Sequence, residues 1–479
     1  MAQQIQVWQN DPATGVLVWA DKPDIQAPPF TYTFPLPTYN PSNDITTPDF
    51  RYWNAAEALK RGVGFWGNAV ATGEWHGGPD LEVRLDAGIK WNAFYDRLAL
   101  NFFRGSDVPG HFIYGGGSAD MLCHEMGHAI LDAIQMQLWH TGNAEAEAFH
   151  ECFGDISAIL CALQVPSMRT SILASTYGDI FANSSLSRIA EQFGTALHGL
   201  YPDDSDADCL RNAHNHFCYA LPASLPPSGP TTSLTSNSHS FSRVFTGALL
   251  EALAGMLALH YPPTPNKLRD VTLEMRDIIA EAATYAPLVP QYYASVAAKM
   301  IVASANKNPA YALVFGATFV SRLILSLTSV TTILSSQIAA QITGFAQKVV
   351  NKTYTPNLGS LPSSSQYGLD RPLVVELPTE VEATIARSAT PDGKPMDPLD
   401  PLEAAQTYVD ELFITGRVNY GVFADKHHKG DTDNKDPDLF HTTHRLELID
   451  DQLRLVRIRI HCAPDLSGNN DIRGGRNVS

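Results

Sequence analysis

The stretch ADMLCHEMGHAILD, residues 119–132, decides how the rest of this chain is read. Its apolar residues recur at helical spacing, which predicts a helix from about Ser118 to Leu138 after the hinge Gly115-Gly116-Gly117. Residues four apart on a helix project from one face, about one turn apart. His124 and His128 therefore point the same way, with Glu125 beside them. Two imidazoles so placed can hold one zinc ion, and the adjacent carboxylate can act on a water. Composition alone would produce such a match only about 0.02 times in a chain of this make-up.

A catalytic zinc site needs a third protein ligand and one open position. A second helix, predicted from about Asn143 to Gln164 and closed by Pro166, offers Glu145, Glu147, His150 and Glu151. Asn143 reads as its cap, with Glu145 and Glu147 in the turns where the helix dipole favours anions. Glu151 stands out because Asp155 follows four residues on and shares its face. A second carboxylate there can orient a ligand imidazole through its remaining N–H. A turn near Thr141-Gly142 lets the helices pack antiparallel, which carries Glu151 back over His124 and His128. His150 points about 100° away from Glu151, so it reads as packing or as support for a ligand.

With HECFGDISAI at 150–159, the pattern resembles the thermolysin-like zinc peptidases, or gluzincins. The resemblance covers about residues 50–328. It implies an α+β, two-lobed fold, with strands before the His-Glu-x-x-His helix and a mainly helical C-terminal lobe. It implies His124, His128 and Glu151 as zinc ligands, Glu125 as general base and Asp155 as the carboxylate holding His124. Asp120, four residues before His124, also fits the family pattern. KWNAFYDRLALNFF, residues 90–103, is similar to the family's active-site edge strand, which makes Asn92 and Ala93 the substrate-backbone pair. CLRNAHN implies Arg211 as the grip on a substrate carbonyl, and SNSHSFSRVF implies His239 as the oxyanion donor. YYASVAAKMIVAS and ALVFGATFVSRLIL resemble the helical lobe. The chain departs from the family in three places. A Pro-rich arm stands where the family has an N-terminal β lobe. No tyrosine precedes Glu151 at the expected place, and no acidic residue lies just before His239.

Around this centre the chain divides into four parts. Residues 1–48 hold eight prolines and the β-like pieces IQVW and GVLVW, and read as an extended arm. Residues 49–220 form the zinc-binding catalytic lobe. It opens at Thr47-Pro48, a capped helix start, and contains LEVRLD, KWNAFY and LALNFF as strands joined by tight turns. Residues 221–350 form a helical lobe with helices over Phe241–His260, Lys267–Ala286, Val289–Ala305, Ala310–Leu327 and about Val330–Val350. Residues 351–479 form an accessory α+β region, with a hairpin turning near Ile449–Gln452.

Composition narrows the function. The 479 residues allow two to four domains, and 44% hydrophobic residues against 17% charged ones indicate a globular chain. A net charge of -17 argues against nucleic acid and against anionic membrane surfaces. No apolar run reaches the ~18 residues of a membrane span. The start, MAQQIQVWQNDPATG, has neither a basic end nor an apolar stretch, so a chain that stays in the cytoplasm or leaves by another route is expected. Six cysteines without a Cys-x-x-Cys pair read as free thiols, with Cys209–Cys218 the one disulfide worth considering. Two Asp-rich loops, Asp203/Asp204/Asp206/Asp208 and Asp431/Asp433/Asp436/Asp438, are candidates for calcium. His427-His428 with Asp425 is a weaker metal candidate and reads first as a surface pair.

The expected function is zinc-dependent peptide-bond hydrolysis by an endopeptidase acting on a peptide or protein. The alternatives are a catalytically silent relative that binds partners, and a zinc aminopeptidase. Oligomeric state is not legible.

Overall fold

The Pro-rich start of the chain forms a hairpin of β1 (Gln4–Trp8) and β2 (Leu17–Asp21). A computed structural model of the protein describes residues 3–24, 30–37, 44–70, 75–343, 355–362, 364–379, 386–423 and 441–462. The second Asp-rich loop and the His427-His428 pair lie outside these residues. Ile5 and Val7 alternate into the main core, so the arm is docked against it. The Asp11 carboxylate pins the turn, accepting from Ala13 N and from Gln192 N, both at 2.9 Å.

After β3 (Phe30–Tyr32) comes α1 (Pro48–Trp66). The Thr47 hydroxyl caps it, accepting from Phe50 N at 3.3 Å, with Pro48 in the first turn. The three predicted strands form as β4 (Leu81–Arg84), β5 (Ala93–Tyr95) and β6 (Ala99–Phe102). β5 and β6 are antiparallel, whereas β4 runs parallel to both β6 and β3. β7 (Arg104–Val108) and β8 (His111–Tyr114) make a separate ribbon.

The central helix, α2 (Ala119–Ile134), stops short of Leu138 because Gln135 leaves the helical region at φ -141°, ψ 67°, and a 3-10 turn follows over Met136–Trp139. α3 (Ala144–Ala162) carries the expected cap, with Asn143 Oδ1 accepting from Glu145 N at 3.0 Å. Pro166 does not close α3 but opens α4 (Pro166–Ser175), bent 98° from it. A proline lacks only a donor that the first helical turn leaves unused anyway.

β9 (Arg188–Ile189), α5 (Glu191–His198) and β10 (Arg211–Asn212) lead to the helical part: α6 (Ser238–Ala258), α7 (Pro265–Tyr285), α8 (Tyr292–Lys307), α9 (Pro309–Ser321) and α10 (Leu327–Thr343). The helix expected over Ala310–Leu327 ends at Ser321, just before Leu323 takes the left-handed φ of 59°. α6 is long and apolar enough to cross a bilayer by length and composition alone, although Glu251 interrupts its apolar run. Its apolar window is 78% buried inside the protein, which makes it a core helix.

A second, smaller core follows. It is built from β11 (Leu358–Leu361), β12 (Leu373–Glu376), α11 (Pro401–Ile414), β13 (Val418–Asn419), β14 (His444–Ile449) and β15 (Gln452–Arg457). The strands lie in the order β11-β12-β15-β14-β13. The β14–β15 hairpin closes at the expected place, with Ile449 opposite Gln452. Asp450 and Asp451 between them have φ of 51° and 60°, the positive values that a two-residue hairpin turn requires.

The last strand, β16 (Ile460–His461), leaves this unit and pairs antiparallel with β5. The main sheet is thus β16-β5-β6-β4-β3. The architecture is α+β, with the accessory unit tied to the main sheet through β16.

Candidate metal centre

α2 and α3 cross where both chains lack a side chain. A methyl group at Gly127 would stand 2.8 Å from Ser157 Oγ and 3.0 Å from Gly154 Cα. One at Gly154 would come within 2.7 Å of the His124 ring. The two glycines therefore let the helices approach closely enough for donors on both to meet.

At the crossing, His124 Nε2 and His128 Nε2 stand 3.0 Å apart. Glu151 Oε2 is 3.4 Å from His124 Nε2, and its Oε1 is 3.8 Å from His128 Nε2. Ligand atoms about 2.0 Å from a tetrahedral zinc ion stand roughly 3.3 Å from one another, so these gaps fit a shared ion. All three side chains are buried, and Glu151 Oε2 has no hydrogen-bond partner. Burial holds His128 well below the usual imidazole range, in the neutral form that binds metal. Burial would raise Glu151, but the imidazoles of His239 and His124 outweigh it and hold the carboxyl at about 2.

Asp155 Oδ1 accepts from His124 Nδ1 at 2.9 Å, which turns Nε2 toward the shared point. Arg211, on β10, in turn holds Asp155: its Nη2 donates at 2.7 Å and its Nε at 3.2 Å. The resemblance implied a grip on a substrate carbonyl. Here the guanidinium forms a buried pair with Asp155 and also lines the neighbouring cavity.

Glu125 faces the same space. It is fully buried, and burial pushes its carboxyl up to about 8. His239, in the first turn of α6, brings Nε2 to 3.3 Å from Glu151 Oε2. Ala93 opens β5 and Asn92 precedes it, both buried. Beside His239 and Arg211 lies a cavity of about 250 Å³, lined also by Asp203, Asp206, Leu210 and Arg243.

Other expected residues lie elsewhere. Asp120 accepts from Asn10 Nδ2 at 2.6 Å and from Ala190 N at 3.3 Å, tying the N-terminal hairpin to α2. His150 is buried with neither ring nitrogen bonded, its ring 5.7 Å from that of His128. Glu145 accepts from Tyr219 Oη at 2.7 Å and from Tyr293 N at 2.8 Å. The aspartates of the first calcium candidate diverge: Asp208 faces Arg188 at 3.7 Å, while Asp203, Asp204 and Asp206 line the cavity. All six cysteines are free, including Cys209 and Cys218.

Two residues had escaped attention in the sequence, Arg457 and Cys462. Arg457 Nη1 meets Glu147 Oε1 at 3.1 Å, and its Nε donates to Trp139 O at 2.8 Å. Cys462 Sγ donates to Glu125 Oε1 at 2.7 Å. Among the described residues, groups of three metal-donor side chains gather as His124–His128–Glu151 and His124–Glu125–Cys462. The only sequence signal would have been an arginine and a cysteine at the end of a strand-like run. No protein-family model matches the chain, and no curated protein matches it.

Proposed function

We propose that the protein is a zinc-dependent hydrolase of peptide bonds, of thermolysin-like two-lobed design. The observation that carries this reading is the convergence of His124, His128 and Glu151 with Glu125 directly beside them. Two imidazoles and one carboxylate are the donor set of an open zinc site. Bound there, the ion would supply Lewis-acid polarisation of a carbonyl.

The remaining work falls to the chain. Glu125 takes a proton from the attacking water and passes it to the leaving amine; burial suits its carboxyl to that exchange near neutral pH. His239 donates to the oxygen on which negative charge develops. Asn92 and Ala93 align an extended substrate along β5 by backbone hydrogen bonds. Asp155 fixes the tautomer of His124, and Arg211 keeps Asp155 charged and in place. A peptide is the favoured substrate because β5 already carries an extended segment, the chain's own β16, on its outer edge.

The test combines metal content with peptide cleavage. About one zinc per chain is expected in the wild type and in Glu125→Gln, and its loss is expected in His128→Ala. Cleavage should require Glu125. Zinc retained in His128→Ala would remove the site. Zinc bound without cleavage of diverse peptides, by the full chain and by a chain lacking β16, would favour a catalytically silent binding protein.

A further inference from the structure

β5 is the edge that a substrate would use, and it is occupied. Ile460 stands opposite Tyr95 and His461 opposite Phe94. The ladder continues one residue further, where Cys462 N donates to Ala93 O at 2.8 Å. The next group in the path is the Cys462 thiol, which is 2% exposed and donates to Glu125 Oε1. Donor atoms of His124, Glu125 and Cys462 lie within 4.8 Å of one another. The segment is held from behind. Arg457, two residues after Leu455 on β15, is buried against Glu147 of α3, and Trp139 Nε1 donates to its carbonyl at 3.3 Å. Gly142 N donates to Glu376 O at 2.8 Å, which fastens the accessory sheet to the turn between α2 and α3.

We propose that Cys462 is the fourth protein ligand of the metal centre, and that Ile460–Cys462 seals the cleft as a substrate-like strand. The inference rests on the metal-site reading above. His124, His128 and Glu151 leave one tetrahedral position, and a cysteine sulfur is a preferred donor for zinc. The step balances without a redox partner. Bound as a thiolate, with its proton released to solvent, Cys462 would fill the position that water would otherwise hold. With its sulfur 2.7 Å from Glu125 Oε1, the side chain occupies the space in which a water would have to meet both the metal and Glu125, so one residue excludes the water and shields the carboxylate. Strand addition to β5 supplies the backbone hydrogen bonds that a peptide would make. Removing the chain beyond Arg459 opens the cleft. The other cysteines do not compete: Cys123, next to His124 in sequence, turns away and donates to Ala58 O at 3.7 Å.

The experiment loads the full chain, Cys462→Ala and a chain ending at Arg459 with cobalt(II). Wild type should show a sulfur-to-cobalt charge-transfer band in the near ultraviolet. Both variants should lose that band while keeping bound cobalt and its visible bands. Casein cleavage by the zinc forms should rise in both variants above the wild type. Identical cobalt spectra in all three proteins would overturn the inference and leave the metal site standing. Equal cleavage by wild type and the shortened chain would overturn the seal. Cobalt bound by none of the three would remove the metal site and the inference together.

Discussion

Substituting Arg457 by Met tests how the accessory unit is held to the first lobe. Arg457 and Glu147 form a buried pair, with side chains 2% and 6% exposed. Arg457 also donates to Trp139 O at 2.8 Å and to Tyr408 Oη at 2.5 Å. Burial alone would raise the Glu147 carboxyl, yet the guanidinium overrides it and lowers the carboxyl from 4.5 to about 2. At 1.36 kcal/mol per pH unit, that gap corresponds to about 3 kcal/mol. Loss of one partner of a buried pair typically costs about 3–5 kcal/mol, in the same range, because the remaining charge is left without compensation. Arg457→Met should therefore raise local opening of α11 and the β14–β15 hairpin by a factor on the order of 100. Native-state hydrogen exchange of those amides measures it. Arg457→Met/Glu147→Gln should recover most of the protection, since neither charge is left stranded. The sign in pH follows. A carboxyl whose folded value lies below its unfolded one stabilises above pH 4.5, and that contribution fades as pH falls toward about 2. Exchange in the single variant within about fivefold of wild type at neutral pH would refute the clamp.

Three further outcomes are expected. Gly154→Ala drives a methyl group into the His124 ring and should weaken zinc binding at least about tenfold in chelator competition; unchanged affinity would mean that the close crossing of α2 and α3 is not needed. Asp155→Asn removes the charged acceptor from His124 Nδ1 and should lower zinc affinity by about 10–100-fold, with far-ultraviolet circular dichroism unchanged. Glu145 lies buried against Tyr219 and Tyr293, and burial raises its carboxyl from 4.5 to about 7. Its favourable contribution is complete below pH 4.5 and is lost as pH rises through about 7, so denaturant midpoints of the wild type should fall across that window while those of Glu145→Gln stay flatter. Parallel curves for the two proteins would show that Glu145 is not the titrating group.

Local order was legible where the physics is local. The i, i+4 spacing of His124 with His128, and of Glu151 with Asp155, needs only the helical repeat; His124, His128 and Glu151 converge and Asp155 meets the other ring nitrogen of His124. The caps at Thr47 and Asn143 and the hairpin at Asp450-Asp451 depend on residues within three or four positions, and each forms where expected. Helix ends were less legible. Leu138 and Leu327 continue the apolar spacing, but the backbone at Gln135 and Arg322-Leu323 breaks the repeat for reasons that lie in packing.

The tertiary structure alone decided what surrounds the metal donors. Nothing in the sequence pairs Arg211 with Asp155 until β10 sets the two together. Glu147 is an ordinary first-turn acid until Arg457 arrives from β15, 310 positions away. Cys462 is separated by 337 positions from the Glu125 it touches, and its placement follows from strand addition at β5. Residues in sequence share a periodicity because they share a helix or strand. Contacts between distant segments leave no such trace, since any chain of suitable shape and charge could fill the same edge. The sequence by itself therefore determined how the His and carboxylate side chains are spaced within each helix. Only folding determined that β16 lies along β5 and that Cys462 reaches Glu125.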